Sequence, residues 1–468
     1  VVDLLKKHNI KNIVFSPGSR NAPLVIGFNS DDYFNIKVLV DERSAAFFAL
    51  GMAQELKEPV AICSTSGSAV VNYSPAIVEA YYQKIPIIVI TADRPPEWID
   101  HGEGQSMRQE NVYENFIGGS FNLPMLDHPD ALWQTGVMTN EAIHISQIES
   151  KPVHINFPFR EPLYDTVNKS IVNTRKITHL KVNKSLDSNH LKELQNIWGN
   201  SSKKMIICGT LEKSDQLHKL LSDLNNNDSL CILNESTSNL YNENFICCID
   251  RTLERVYGET EFIPELVITI GNSIISKKLK QLLRKNKPSH HWHIEDTNRA
   301  QDIFSSITHF VPLKPIEFFS QFIENISVEN KSNFGKIWET QFHLSEKFHR
   351  DFLKSCDWSD LKAHDIIHQC IKNKKINIQM GNSSSVRYIQ LFSNLKDVSY
   401  NSNRGVSGID GSCSTAVGAA NSTNNTTLLV NGDLSFIYDQ NSLWNDSLPK
   451  NLKICLLYTS PSPRDRFL

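Results

Sequence analysis

At 468 residues the chain is too long for one hydrophobic core, and about two or three domains are expected. Its composition, 40% hydrophobic and 21% charged, is that of an ordinary globular protein, and nine cysteines without metal-type CxxC spacing suit a reducing, cytoplasmic setting better than a disulfide framework. A net charge of -3 leaves no electrostatic footprint for nucleic acid, and no apolar run reaches the length of a bilayer, so neither a nucleic-acid partner nor stable membrane insertion is expected.

The chain opens inside a helix-like stretch, VVDLLKKHN, with no Met and no signal-peptide core, so a few native N-terminal residues are expected to precede it. Up to about residue 165, short apolar runs alternate with helical patterns. NIVFSPG (12–18), VAICSTSG (60–67), PIIVITADRP (86–95) and PVHINFPF (152–159) read as buried strands, the first three breaking at Gly, Ser or Pro. Between them lie amphipathic stretches such as SAAFFALGMAQEL (44–56). This alternation predicts a parallel, doubly wound α/β sheet. Residues 166–185 turn polar and read as a linker. A second α/β domain is expected over 186–355, with strands KMIICGT, LCILNES, LVITIGN and HHWHIED, and Asn225-Asn226-Asn227 as a solvated loop. A third is expected from 356 onward, with strands INIQMGN, TLLVNGD and LKICLLY.

Some residues carry chemistry. NRGVSGIDGSCSTAVGAA (403–420) packs glycines and small hydroxyl residues where close approach to a ligand would need them, but it lacks the GxGxxG of a dinucleotide fingerprint. The run Leu428-Leu429-Val430 stops at Asn431-Gly432-Asp433, which puts a carboxylate at a strand's carboxyl end; a hard cation bridging to a diphosphate needs such a group. Glu42, at a strand-to-helix junction, reads from the residues alone as a first-turn glutamate favoured by the helix dipole. Arg20, Arg94 and Gln105 follow strand ends; each arginine is by default a solvated surface charge, but the three could converge on an anionic substrate. Ile409 reads as a core residue. Of His290, His291 and His293, the last two share a strand face, and two imidazoles fall short of a zinc site, so a structural role is expected.

Eight segments taken together narrow the reading. They are FSPGSRNAPL (15–24), DERSAAFFALGMA (41–53), TADRPPE (91–97), GQSMRQ (104–109), PVHINFPFREPLY (152–164), GNSSSVR (381–387), SNRGVSGIDG (402–411) and GDLSF (432–436). They resemble the thiamine-diphosphate enzymes, and among these the synthase family of menaquinone biosynthesis, densely over the first third and after Gly381 and weakly between. The resemblance implies three doubly wound parallel-sheet domains: a pyrimidine-binding domain (1–165), a central α/β domain (186–355) and a diphosphate-binding domain (356–468), the last incomplete.

The resemblance also implies roles. Glu42 would be a buried general acid/base against N1′ of the aminopyrimidine. Ser407, Gly408, Ile409, Asp410, Gly432, Asp433, Leu434 and Ser435 would hold thiamine diphosphate, with Ile409 as the bulky side chain beneath the cofactor. Asp433 would coordinate Mg²⁺ or Mn²⁺. Ser19, Arg20, Arg94, Gln105, Lys277 (or its neighbour Lys278), Ser383, Arg387 and Arg404 would bind the polyanionic substrates 2-oxoglutarate and isochorismate. The family decarboxylates the first and adds the succinyl carbanion to the second. It works as a homodimer or homotetramer, with cofactor between the first domain of one chain and the third of its partner. Its further metal ligands come from an Asn- and Gly-rich loop after the strand matching LKICLLY; here TSPSPRDRFL (459–468) follows instead, so a foreign or frameshifted tail and an inactive chain are expected. The rivals are an acetolactate-synthase-like thiamine enzyme and a non-catalytic nucleotide-binding protein.

Overall fold

A computed structural model describes residues 1–458 apart from 127, 167–173, 181, 327–330 and 447. The tail expected to be foreign, 459–468, and part of the expected linker therefore lie outside the described residues. Among the described residues, strands alternate with helices along the whole chain and gather into three sheets.

The first sheet has six strands in the order β2-β1-β3-β4-β6-β5: β1 (Asn12–Phe15), β2 (Asn35–Val38), β3 (Val60–Ser64), β4 (Ile87–Asp93), β5 (Ser120–Asn122) and β6 (Val153–Pro158). Every pairing is parallel. β1, β3 and β4 are buried along their whole length, as central strands covered by helices on both faces must be. Alternate residues feed two cores. Val14, Ile62 and Val89 pack with Phe47 and Ile77, while Ile13, Ala61 and Ile88 pack with Leu4, Phe28 and Ile143. The edge strands β2 and β5 are short and partly exposed, so no apolar run announced them.

Helix Glu42–Leu56 starts where the Asp41 carboxylate accepts the Ser44 N–H (3.2 Å) and ends at Lys57, whose φ of 60° is left-handed. It is buried from Ser44 to Ala53 and crosses helix Ser412–Asn421, buried from Ser412 to Ala420. At the crossing a side chain on Gly418 would collide with the Phe48 carbonyl, and one on Gly51 with the Thr415 carbonyl. Small residues at these positions let the two backbones touch.

The second sheet runs β11-β10-β9-β7-β8, again all parallel: β7 (Lys204–Cys208), β8 (Leu230–Asn234), β9 (Leu266–Ile270), β10 (His290–Ile294) and β11 (His309–Val311). On β10, His291 Nε2 and His293 Nδ1 both meet Thr269 Oγ1 (3.0 and 2.9 Å); His291 Nδ1 also meets Ser306 Oγ (2.9 Å) and His293 Nε2 meets Glu295 (3.3 Å). These imidazoles are structural, and among the described residues no group of three or more His, Cys, Asp or Glu could hold a metal ion. The Asn225–Asn227 loop is not simply solvated: Asn227 is buried, and its side-chain oxygen accepts the Ser229 N–H (2.9 Å), forming the turn that leads into β8.

The third sheet runs β13-β12-β14-β15, from β12 (Ile376–Met380), β13 (Val398–Asn401), β14 (Thr426–Gly432) and β15 (Leu452–Leu457), with Val430 opposite Cys455 in the parallel β14–β15 pair. The chain divides into two compact units, one of residues 1–180, 379–382 and 402–458, the other centred on 181–378 with 383–401. Of the expected linker, the described part up to 180 lies along the first unit: Asn140 holds Arg175 O (3.0 Å) and the Ile177 N–H (2.9 Å), and Asp3 accepts the Thr174 N–H (3.2 Å). Among the described residues no helix is long and apolar enough to cross a membrane.

Candidate active site

In a parallel sheet every strand's carboxyl end lies on one edge, and polar residues there can face a common ligand. On the first sheet, the turn after β1 carries Ser19 and Arg20, the turn after β2 leads to Glu42, and the end of β4 carries Asp93 and Arg94. Arg20 is not a solvated charge: it is 3% exposed. Its guanidinium donates to Phe159 O (3.0 Å) and pairs with Glu161 (3.0 Å), while Nε is buried without a partner. A buried cation left partly unsatisfied is costly unless a ligand completes it. Ser19 beside it is exposed.

Asp93 is buried next to Arg20. Burial pushes its carboxyl up to about 6, while the Asn156 amide, donating at 2.8 Å, and the Arg20 charge pull it back. Arg94 reaches over to donate to Gly104 O (2.8 Å), strapping the 104–109 loop to the strand end; its Nε is also buried without a partner. Gln105 in that loop is exposed, with φ 53°. Gln109, 1% exposed, fixes the loop from below. It accepts the Gly67 N–H (2.8 Å) and donates to Ala92 O (3.1 Å) and Asn156 Oδ1 (2.9 Å). Thr91 gives its proton to Asn156 Oδ1 (2.7 Å), so His154 Nε2, also 2.7 Å from the Thr91 hydroxyl, must donate. Burial holds His154 neutral, its imidazole lowered to about 3. The arginines and the Gln105 loop thus rest on a buried polar network.

Glu42 is the first residue of its helix and is half-buried; Asn72 donates to it at 3.4 Å. Its charge lies close enough to help raise the buried Tyr73 phenol, although desolvation is the larger cause.

Asp433 opens helix Asp433–Tyr438 directly after β14. Among the described residues its half-buried carboxylate makes no hydrogen bond or ion pair. Ser435 Oγ donates to Ile409 O (2.8 Å), joining this helix to the 404–411 loop. Ile409 is 38% exposed, so it is not a core residue, and Leu434 is exposed as well. Ser407, with φ 64°, Gly408 and Asp410 are half-buried in the same loop. Behind Gly432, the Asn431 amide is fully buried with neither polar atom partnered. A free carboxylate, an orphaned amide and an exposed branched apolar side chain are residue types that fit a hard cation, a phosphate group and an apolar ligand surface. Arg404 donates to Asn382 Oδ1 (3.1 Å).

In the second unit, Ser383 (φ 71°) precedes helix Ser384–Ile389, and Arg387 stands one turn further on; both are exposed. Lys277 opens helix Lys277–Lys285 and is exposed, whereas Lys278 pairs with Glu254. Fully buried Glu235 fixes the turn ahead of Lys277 by accepting the N–H groups of Ile275 (2.5 Å) and Ser276 (2.7 Å); burial pushes its carboxyl up to about 7. Asp93, Gln109, Asn156 and Glu235 carry no role legible in the sequence alone. The first three lie inside motifs already singled out, which was the one available signal.

Residues 1–112 match the family model for the thiamine pyrophosphate enzymes, N-terminal TPP binding domain. That match and the three open α/β sheets define the class: a thiamine pyrophosphate enzyme. Similarity to whole proteins narrows it. The chain is 42% identical to a protein of Flavobacterium psychrophilum over 98% of this chain and 82% of the relative, and 40% identical to one of Flavobacterium johnsoniae with the same coverage. A protein of Porphyromonas gingivalis is 36% identical over 100% of this chain and 83% of its own length. All three are named 2-succinyl-5-enolpyruvyl-6-hydroxy-3-cyclohexene-1-carboxylate synthase. The chain belongs to this synthase family.

Proposed function

We propose that the protein decarboxylates 2-oxoglutarate and joins the succinyl unit to isochorismate in menaquinone biosynthesis, using thiamine diphosphate and Mg²⁺ or Mn²⁺. Membership of the synthase family over 98% of the chain carries the reading. Thiamine diphosphate, when bound, supplies a nucleophilic carbon for the keto group and an electron sink for the charge left as CO₂ departs.

The chain's own residues do the rest. Glu42 exchanges a proton with N1′ of the aminopyrimidine, a general acid/base role. Asp433 would hold the metal ion, and Gly432, Leu434, Ser435 and Ser407 to Asp410 would hold the cofactor. Ile409 supports the cofactor from its apolar side. Both substrates are dianions, which suits the cationic and polar side chains of Ser19, Arg20, Arg94, Gln105 and Arg404 on the first unit and of Lys277, Ser383 and Arg387 on the second. Arg20 and Arg94, each with a buried and unpartnered Nε, are suited to forked carboxylate binding. The protein acts as a homodimer or homotetramer in the cytoplasm, with pyrimidine-binding, central and diphosphate-binding domains at 1–165, 186–355 and from 356. The test is CO₂ release from 2-oxoglutarate with isochorismate present, compared with pyruvate. A preference for pyruvate would favour the acetolactate-synthase-like reading.

A further inference from the structure

We propose that Glu79, with Asn382 opposite it, is a positioning residue that sets the Arg404–Ile409 loop in the conformation cofactor and substrate require; this rests on the function proposed above. Glu79 lies on helix Ser74–Gln83 and is 1% exposed. Its carboxylate accepts the N–H groups of Gly405 (2.5 Å) and Val406 (2.8 Å) and the Gln83 amide (2.6 Å). Among the described residues it forms no ion pair. The loop's carbonyls are taken from the other side: Asn382 Nδ2 donates to Asn403 O (2.8 Å) and Gly408 O (2.6 Å), and its oxygen accepts from Arg404. Both sets of backbone groups are thus bound, donors by a carboxylate and acceptors by an amide.

A plain core would not bury an unpaired carboxylate, because desolvating it is expensive. Burial pushes the Glu79 carboxyl upward, and the Val406 and Gly405 N–H groups oppose that. What the arrangement secures is a strained loop. Ser407 sits at φ 64°, a conformation that persists only where the surroundings over-determine it. Position 405 is glycine because a Cβ there would stand 2.6 Å from the Glu79 carbonyl and 3.0 Å from its carboxylate. The loop carries Arg404 on the substrate side and Ile409 on the cofactor side, so a small displacement would misplace both.

Three measurements test this. In the wild-type protein without cofactor, hydrogen exchange should show the Gly405 and Val406 amides protected; exchange at the rate of open loops would overturn the clamp. That arm needs neither turnover nor cofactor, so it stands or falls apart from the assigned function. Glu79→Gln puts an amide N–H₂ against one of the backbone N–H groups. It should weaken thiamine-diphosphate affinity about tenfold and lower kcat/KM about 10²-fold, the size expected of roughly 1 Å misplacement, with kcat itself falling and the thermal midpoint moving little. A folded Glu79→Gln protein with both values within about threefold of wild type would overturn the proposal. Should that variant not fold, Gly405→Ala lifts the same loop while leaving Glu79 intact, and the same thresholds apply to it.

Discussion

Glu42 and Arg387 separate the chemical from the binding side of the account. Glu42→Gln is nearly isosteric and removes the charge proposed to exchange a proton at N1′. It should cost at least roughly 10² in turnover while circular dichroism and the thermal midpoint stay as in wild type; near-normal turnover would remove Glu42 from its role. Arg387→Ala should raise KM for substrate while thiamine-diphosphate affinity holds, because a charge-assisted contact to a carboxylate is worth about 1.5–3 kcal/mol, or roughly 10- to 10²-fold. A fall in cofactor affinity with KM unchanged would contradict that assignment. At this scale the sequence shows a residue's identity and motif but not its surroundings. Arg20 stood in a legible motif, yet its burial depends on Phe159 and Glu161, both supplied from beyond β6. Ile409 looked like a core residue because apolar side chains usually are, and its exposure on the 404–411 loop could not be read from composition.

Whole elements were legible where the apolar signal was strong. The strands β1, β3, β4, β7, β8 and β9 are buried throughout and appear in the sequence as apolar runs. The strands that were missed, β2, β5, β11 and β13, are three or four residues long and partly exposed. The crossing of helices Glu42–Leu56 and Ser412–Asn421 was equally hidden, since it pairs small residues more than 350 positions apart in the chain. Gly418→Ala should destabilise the first unit by about 1–3 kcal/mol, the usual cost of overpacking, read as a lower urea midpoint; an unchanged midpoint would mean the helices are not in direct contact. A pH dependence follows from His154. Its imidazole is lowered to about 3 in the fold and takes up a proton near 6.5 when unfolded. Its contribution is therefore present above pH 6.5 and is lost as the pH falls, by up to about 2 kcal/mol between pH 6.5 and 5. His154→Gln should flatten the urea-midpoint profile over that range relative to wild type. Asp93, raised to about 6, acts in the opposite sense, its contribution present below 3.8 and lost as the pH rises through 6. Only the difference between variant and wild type isolates His154, and parallel profiles would contradict the neutral buried assignment.

For the whole molecule, the family was legible from eight short segments, because the residues proposed to meet a cofactor and two dianions need particular side-chain types at particular spacings. The similarity over 98% of the chain bears that reading out. The described residues bring the pieces to strand ends: Arg20, Glu42 and Arg94 on the first sheet, Ser383 and Asp433 after strands of the third. The most direct test is CO₂ release from 2-oxoglutarate, with isochorismate present, by protein expressed from its complete reading frame and first stripped of cofactor and metal. Turnover on the order of 1 s⁻¹ or more should appear only when thiamine diphosphate and Mg²⁺ or Mn²⁺ are both restored, and pyruvate should not replace 2-oxoglutarate. Turnover that ignores thiamine diphosphate, or that runs on pyruvate as readily as on 2-oxoglutarate, would contradict the account.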